Sequence, residues 1–321
     1  MAAPRRMQNK SKSKNKSGKA SRTVGIVGLG IMGGAFARNL VAAGWRVVGF
    51  DVDAARRRAA RRSGVEIVDS AAAVAAASRD IITSLPAPQA LDAVARELAA
   101  AALPPRVVIE TSTLALGDKE RAERGLRSAG HLMLDCTVSG TGAQAAVRDL
   151  VFYASGDPAT VRRLRPLFQA LGREVYDLGA FGNGSKMKYV ANLLVAIHNV
   201  AAAEAMVLGM KAGLDPRRIY ELANAGAGQS RMFEVRGPMM VTGDYRQPTM
   251  TLKGWQKDMQ VIGDFARRIG VAVPVFRATE PIYGKALRSG HGGDDTAAVC
   301  AVLARMARLR RPRRRRVTAR A

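Results

Sequence analysis

Short apolar runs alternate with helical stretches through the first half of the chain. The run at 23–27, TVGIV, is apolar and rich in β-branched residues, which is typical of a buried parallel strand. Alanine-rich stretches with helical spacing lie between most of the later runs. This alternation predicts a doubly wound parallel sheet of the α/β class. The further strand candidates are 45–51, 65–69, 80–85, 106–112, 131–138 and 150–156.

The pattern changes near residue 183. From Ser185 to Lys211 the chain has no proline, and its first glycine is Gly209, so one long helix is expected between two domains. The second half is therefore predicted to be all-α, with the interdomain hinge in the glycine-rich segment 179–184. The further helix candidates are 215–225, 230–240, 250–269 and 274–289. The expected units are a basic tail at 1–22, an α/β domain at 23–183, a helical domain at 184–304 and an arginine-rich tail at 305–321.

Composition supports two packed domains, because 48% of the 321 residues are hydrophobic. No uninterrupted apolar run reaches the roughly 18–20 residues of a membrane span, and the N-terminus lacks a hydrophobic signal core. We therefore expect a cytoplasmic protein without a membrane association, with Cys136 and Cys300 as reduced thiols. The three histidines have no metal-ligand spacing, so no metal site is expected.

The net charge of +25 is concentrated at the two ends of the chain. Residues 1–22 and 305–321 contain no acid and carry 17 of these 25 charges. Such like-charged segments with few apolar residues are expected to be disordered. Two interpretations stay open: solvated tails without a specific function, and weak, salt-dependent binding of a polyanion.

Gly28, Gly30 and Gly33 form a G-x-G-x-x-G turn in an informative context. A strand precedes the turn, a helix follows it, and a second strand ends at Asp51, which together indicate a dinucleotide-binding Rossmann unit. The glycines permit the tight turn and the close approach of the backbone to a pyrophosphate, which the helix N-terminus attracts. The predicted cofactor contacts on this turn include the residues between the glycines, namely Leu29, Ile31 and Met32.

Asp51 lies 18 residues after Gly33, where an acid accepts the 2′-hydroxyl of the adenosine ribose. A carboxylate there repels a 2′-phosphate, so NAD is the expected cofactor. The cluster Arg56–Arg58 just downstream could hold a phosphate instead, and NADP therefore stays open.

Several ordered motifs resemble the β-hydroxyacid dehydrogenase family, which includes 3-hydroxyisobutyrate dehydrogenase. Residues 25–44 resemble the cofactor signature of that family, and DCTVSGTGAQA at 135–145 resembles its substrate-binding motif. GNGSKMKYVAN at 182–192 resembles its lysine segment, and KDM at 257–259 its K-D-L motif. The resemblance covers about residues 23–304. It implies a Rossmann domain followed by a helical domain like the C-terminal domain of 6-phosphogluconate dehydrogenase.

The resemblance implies that Lys188 is the catalytic lysine and Asn192 its partner. Their spacing of four residues places both side chains on one face of a helix, although spacing alone also fits a surface lysine. By the same resemblance, Ser139 and Gly140 bind the substrate carboxylate, and Lys257 reaches substrate or nicotinamide unless it is a solvated lysine. The further residues implied at the cofactor are Leu85, Pro86 and Thr113.

Four positions depart from the family pattern, and they leave the substrate undetermined. Thr137 replaces a proline, Thr141 a glycine and Ser84 a methionine, and Ala191 stands where asparagine is common. The resemblance implies hydride transfer between nicotinamide and the hydroxyl carbon of a small 3-hydroxy acid. Reduction of tartronate or succinic semialdehyde and oxidation of L-threonate are alternatives.

The expected assembly is a homodimer or homotetramer formed through the helical half. An alternative of another class is a non-catalytic cofactor-binding protein that engages nucleic acid through its basic tails.

Overall fold

The computed structural model describes residues 22–309. The predicted disorder of residues 1–21 and 310–321 falls outside the described residues. Residues 305–309 do not fit the prediction of a disordered tail, because the last helix continues to Met306.

An eight-stranded sheet with helices on both faces forms the first half of the protein, and the predicted α/β class is confirmed. The strand order is β3-β2-β1-β4-β5-β6-β7-β8, with β1 to β6 parallel. The strands are β1 (Thr23–Val27), β2 (Arg46–Phe50), β3 (Glu66–Ile67), β4 (Asp80–Thr83), β5 (Val107–Glu110), β6 (Leu132–Ser139), β7 (Val151–Ser155) and β8 (Glu174–Asp177).

The last two strands depart from the predicted parallel arrangement of the sheet. β7 pairs antiparallel with β6, and β8 runs parallel to β7. The reason is the short connection at 140–150, whose only helix has five residues, whereas a parallel crossover needs about a dozen residues or more. β8 was not predicted, because it is a four-residue edge strand whose side chains are largely exposed and show no buried apolar run.

Helices surround the sheet and then make up the second half, which is all-α as predicted. In the first half they are α1 (Ile31–Ala42), α2 (Ala54–Arg62), α3 (Ala71–Ala77), α4 (Pro88–Ala100), α5 (Leu116–Ser128), α6 (Gly142–Ala146), α7 (Pro158–Arg163) and α8 (Arg165–Leu171). In the second half they are α9 (Asn183–Lys211), α10 (Pro216–Ala225), α11 (Arg231–Thr242), α12 (Leu252–Arg268), α13 (Pro274–Ala286) and α14 (Val299–Met306). Sequence patterning did not predict α14, which has eight residues and is mostly buried.

The long helix α9 is the central element of the helical half. Helices α10 to α14 pack around it, and its N-terminal part also packs against β6 and β7. Among the described residues, α9 is long and apolar enough to cross a membrane by length and composition. Its apolar side chains instead contribute to the core of the helical half, where Ala196, Ala203 and Met206 are fully buried.

Candidate active site

The glycine turn after β1 is shaped by close backbone contacts. Gly28 has a φ of +93°, and a Cβ there would lie 2.2 Å from the carbonyl oxygen of Ser84. A Cβ on Gly33 would lie 1.8 Å from the carbonyl oxygen of Gly28. Both positions therefore require glycine. No side chain caps the N-terminus of α1, so its first amide groups are left to bind phosphate oxygens.

Asp51 follows β2 and is turned toward this glycine turn. One carboxylate oxygen, Oδ2, accepts a hydrogen bond from the amide of Leu29 at 2.7 Å. The other, Oδ1, accepts from the amide of Asp53 at 2.8 Å, and only 5% of the residue is exposed. The structure thus gives Asp51 a role in fixing the turn, in addition to the predicted contact with a ribose.

Lys188 lies in the second turn of α9 and is largely buried, with 9% of its surface exposed. Burial disfavours the charged ammonium and lowers the pKa of Lys188 to about 8, an effect that nearby Asp258 opposes and Lys257 reinforces. Its neighbour Lys186 is exposed and donates to Asn183, so it differs sharply in environment. A lysine with a pKa near 8 can exchange a proton near neutral pH.

Asp258 lies beside Asn192 and Lys257 and acts electrostatically on Lys188, and sequence reasoning did not identify it as a site residue. Asn192 donates through Nδ2 to Asp258 Oδ2 at 2.8 Å, and Lys257 Nζ lies 3.7 Å from Asp258 Oδ1. Burial raises the pKa of Asp258, while the two lysines act in the opposite direction. Its position after Lys257 in the K-D motif was the available signal.

Lys257 bridges the two halves of the protein. Its ammonium group donates to the carbonyl oxygen of Thr113, in the loop after β5, at 2.7 Å. A cavity of about 610 Å³ lies beside the contact between Lys257 and Thr113. Asp258 lines this cavity and also accepts the hydrogen bond from Asn192 on α9. The cavity is lined by Pro86, Thr113, Met250, Thr251, Lys253, Gly254, Lys257 and Asp258.

Leu85 lies in the loop between β4 and α4 rather than on the lining of this cavity. Its amide donates to the Ser112 hydroxyl at 2.8 Å, which ties the loop after β4 to the loop after β5. The predicted cofactor residues Pro86 and Thr113 are thereby held at neighbouring strand ends.

Ser139 and Gly140 end β6 and begin a compact loop. Gly140 has a φ of +135°, and a Cβ there would lie 2.4 Å from Leu150 Cδ2. The next amide, that of Thr141, donates to Gln144 Oε1 at 3.0 Å within a capping box. The amide of Thr141 is therefore engaged in a hydrogen bond within the loop. The strand before it, β6, packs against α9.

The first turn of α9 is fixed to β6 by buried polar contacts. Asp135 accepts hydrogen bonds from the amide of Ser185 at 2.6 Å and from its hydroxyl at 2.9 Å. Lys119, itself fully buried, lies 2.8 Å from Asp135. Thr137 donates to the carbonyl oxygen of Gly184 at 2.7 Å, a contact that the proline usual at this position in the family could not make. These contacts orient the helix that carries Lys188.

Among residues 22–309, no cluster of three or more His, Cys, Asp or Glu residues could hold a metal ion. Both cysteines are buried thiols, Cys136 in β6 and Cys300 in α14.

Comparison with known proteins gives one consistent result. Residues 23–179 match the family described as the NAD-binding domain of 6-phosphogluconate dehydrogenase. Residues 182–303 match the family described as NAD-binding of NADP-dependent 3-hydroxyisobutyrate dehydrogenase.

Individual relatives span nearly the whole described chain. L-threonate dehydrogenase of Cupriavidus necator is 36% identical over 88% of this chain and 96% of its own length. A probable 3-hydroxyisobutyrate dehydrogenase of Mycobacterium tuberculosis is 30% identical over 88% of this chain and 97% of its own.

Solved structures share the fold. The M. tuberculosis 3-hydroxyisobutyrate dehydrogenase, in a structure with L-serine, superposes with a TM-score of 0.81 at 29% identity, covering 88% of this chain and 99% of its own. A 3-hydroxyisobutyrate dehydrogenase from Salmonella typhimurium gives a TM-score of 0.79 at 30% identity, covering 88% of this chain and 100% of its own. The resemblance drawn from the sequence motifs is thereby confirmed.

Proposed function

The chain belongs to the β-hydroxyacid dehydrogenase family of NAD(P)-dependent oxidoreductases, and we propose that it acts on a small 3-hydroxy acid. The observation that carries this proposal is the buried Lys188, whose pKa is lowered to about 8, on the same helix as Asn192. An exposed structural lysine would be neither buried nor lowered in pKa.

A bound nicotinamide would supply the hydride chemistry, taking hydride from the hydroxyl carbon in oxidation and giving it in reduction. Lys188 acts as the general acid–base. As a neutral amine it takes the hydroxyl proton in oxidation, and as an ammonium it donates a proton to the forming hydroxyl in reduction. Asn192, held by Asp258, orients the hydroxyl beside Lys188. Lys257 donates a hydrogen bond to the carbonyl oxygen of Thr113 and lies at the edge of the site that faces the cofactor domain. Residues 28–33, the phosphate cradle, would hold the pyrophosphate of the dinucleotide, and Asp51 would accept a hydrogen bond from the ribose 2′-hydroxyl.

Ser139 and Gly140 anchor the substrate carboxylate in this proposal, by the serine hydroxyl and the glycine amide. The candidate substrates are 3-hydroxyisobutyrate, L-threonate, and tartronate or succinic semialdehyde in the reverse direction. The L-threonate dehydrogenase and 3-hydroxyisobutyrate dehydrogenase relatives both support a small hydroxy acid.

A panel of these acids and semialdehydes, followed by NADH or NADPH absorbance, tests the activity. We expect saturable turnover with at least one hydroxy acid, weakened most in KM by Ser139→Ala. The esters of the same acids serve as controls, since they lack the carboxylate and should react poorly. Absence of turnover with every acid, in a protein that binds the dinucleotide, would contradict the proposal.

We also propose a division at residue 183 between a cofactor domain and a helical domain, and a cytoplasmic homodimer or homotetramer formed through the latter. Large apolar side chains on α9 and the following loop are exposed, among them Val190 at 53% and Leu208 at 73%. Sedimentation of the protein and of Val190→Glu tests this: a stable monomer of the unsubstituted chain would exclude the assembly.

A further inference from the structure

Four neighbouring strands of the sheet begin at arginines. Arg46 is the first residue of β2. The residues directly before β1, β4 and β5 are Arg22, Arg79 and Arg106. Because β2, β1, β4 and β5 are adjacent in that order, these arginines stand side by side along the edge where the parallel strands begin. Adjacent strands lie about 4.8 Å apart, so the row spans about 14 Å.

Two helices add positive charge at the same edge. Helix α2 leads from the end of β2 to the start of β3, so its last turn, with Arg61 and Arg62, lies at the edge where the strands begin. Helix α5 likewise leads from β5 to β6 and carries Arg127 in its last turn. Residues 1–21, which contain seven lysines and arginines and no acid, join the sheet here through Arg22.

Ion pairs neutralise only part of this charge. They are Arg46–Glu66 at 2.7 Å, Arg127–Glu123 at 3.4 Å and Arg163–Asp80 at 2.6 Å. Five other arginines form no ion pair with any acid among residues 22–309, namely Arg22, Arg61, Arg62, Arg79 and Arg106. We call these five residues the arginine edge.

Two members of the arginine edge are held in place by groups that leave their charge intact. The guanidinium of Arg22 lies over the ring of Trp45, with 5.6 Å between the guanidinium carbon and the ring centroid. The guanidinium of Arg106 donates to the carbonyl oxygens of Ala75 and Pro104. The sheet therefore presents fixed positive charges that the described part of the chain does not neutralise.

The chemistry of the arginine edge fits a row of phosphates better than a lipid surface. Segments that insert into the lipid interface carry exposed aromatic or large aliphatic side chains. The exposed large apolar side chains of residues 22–309 lie elsewhere, for example Ile31 and Val52 at the opposite edge of the sheet. Double-stranded nucleic acid presents one negative charge per about 1.7 Å of its axis, so a row of about 14 Å would face about eight phosphates.

We propose that the arginine edge binds the phosphate backbone of double-stranded nucleic acid without reading its sequence. The glycine turn and the loop with Thr113 follow the ends of the strands, whereas the arginine edge lies where the strands begin. Nucleic acid and dinucleotide would therefore bind at opposite edges of the sheet and at the same time. This binding is additional to the proposed dehydrogenase activity and does not depend on it.

Fluorescence anisotropy of a short labelled DNA duplex tests the proposal in the full-length protein. The test variant combines Arg61→Gln, Arg62→Gln and Arg79→Gln, three exposed side chains whose loss should not change the thermal unfolding. We expect it to bind the duplex about tenfold or more weakly at low salt. The slope of log affinity against log salt should become less steep by about 2–3, since each lost phosphate contact removes about 0.9.

The matched control combines Lys211→Gln, Arg217→Gln and Arg288→Gln, which remove three exposed cations from the helical half. Equal losses of affinity in the two triple variants would indicate only a general positive field and would overturn the proposal. It would also be overturned if the unsubstituted protein did not bind the duplex at low salt. Binding to phosphatidylserine vesicles but not to the duplex would show that the arginine edge contacts a membrane instead.

A competition experiment locates the bound duplex. We expect a saturating concentration of the duplex to leave the affinity for NAD unchanged. Displacement of NAD by the duplex would place the nucleic acid at the phosphate cradle and would contradict binding at the arginine edge. Absence of turnover with every hydroxy acid would contradict only the proposed function, because duplex binding is measured without a substrate.

Discussion

The phosphate cradle and the lysine site are built in opposite ways. The cradle comes from one continuous segment, 23–51, in which local turns and backbone contacts create the binding surface. The lysine site is assembled from segments that are far apart in sequence. Asn192 on α9 is bonded to Asp258 on α12, Lys257 on α12 is bonded to Thr113 after β5, and Asp258 and Lys257 both act on the charge of Lys188. The cradle is therefore sensitive to added atoms, whereas the lysine site is sensitive to changed charges.

Removing the ammonium group should have the largest effect and should separate the two regions. We expect Lys188→Ala to lower kcat by roughly 10²- to 10⁴-fold, the usual contribution of a general acid or base, while NAD binding stays largely intact. Stopped-flow turnover and calorimetry measure the two quantities. Lys186→Ala is the control, because this exposed lysine lies one half-turn away. A near-normal kcat in Lys188→Ala would refute the assignment of the catalytic lysine.

Adding one carbon to the cradle should give the reverse result. In Gly33→Ala the new Cβ would lie 1.8 Å from the Gly28 carbonyl oxygen, so the turn must shift. Overpacking costs about 1–3 kcal/mol, and we expect dinucleotide binding to weaken roughly 10- to 100-fold. Calorimetry measures the binding and thermal unfolding the stability.

Gly125→Ala provides the control for that substitution. Gly125 lies in α5 with open space around its Cβ position, so alanine should stabilise the protein slightly. If Gly33→Ala bound NAD as tightly as Gly125→Ala does, close packing at the cradle would not be what requires glycine there.

Changing a charge beside Lys188 should alter the pH dependence rather than the binding. The pKa of Lys188 is lowered to about 8, so kcat/KM for oxidation should rise as pH increases through about 8 and the amine becomes neutral. Reduction needs the ammonium and should decline over the same range. The carboxylate of Asp258 opposes the lowering, so Asp258→Asn should move both limbs to lower pH.

Lys257→Gln is the comparison for this experiment, because Lys257 lowers the pKa of Lys188, so its loss should move the limbs to higher pH. Profiles measured with a slow and a fast substrate separate the proton transfer from other steps. If the pH at which kcat/KM rises or falls were unchanged in Asp258→Asn, a group other than Lys188 would be the one that titrates.

The same contrast explains which features could be predicted from the sequence. The cradle was readable because Gly28 to Gly33 and Asp51 lie in one strand–turn–helix–strand segment. The periodicity of apolar residues did not predict the direction of β7, because that direction depends on a short connection. It did not predict β8 either, because β8 has no buried apolar pattern. Asp258 meets Asn192 only when α12 packs against α9, and the residue type alone does not show that contact.

The smallest effect is expected where the two halves meet. Thr137→Val removes the hydrogen bond from Thr137 to the Gly184 carbonyl and keeps the side-chain shape. Losing a single buried hydrogen bond costs about 0.5–1.5 kcal/mol, so we expect Tm to fall by a few degrees and kcat by less than tenfold. Ser128→Ala removes an equivalent bond to Arg124 on an exposed helix and should change Tm little. A Tm for Thr137→Val equal to that of Ser128→Ala would show that this contact does not hold α9, and with it Lys188, against the sheet.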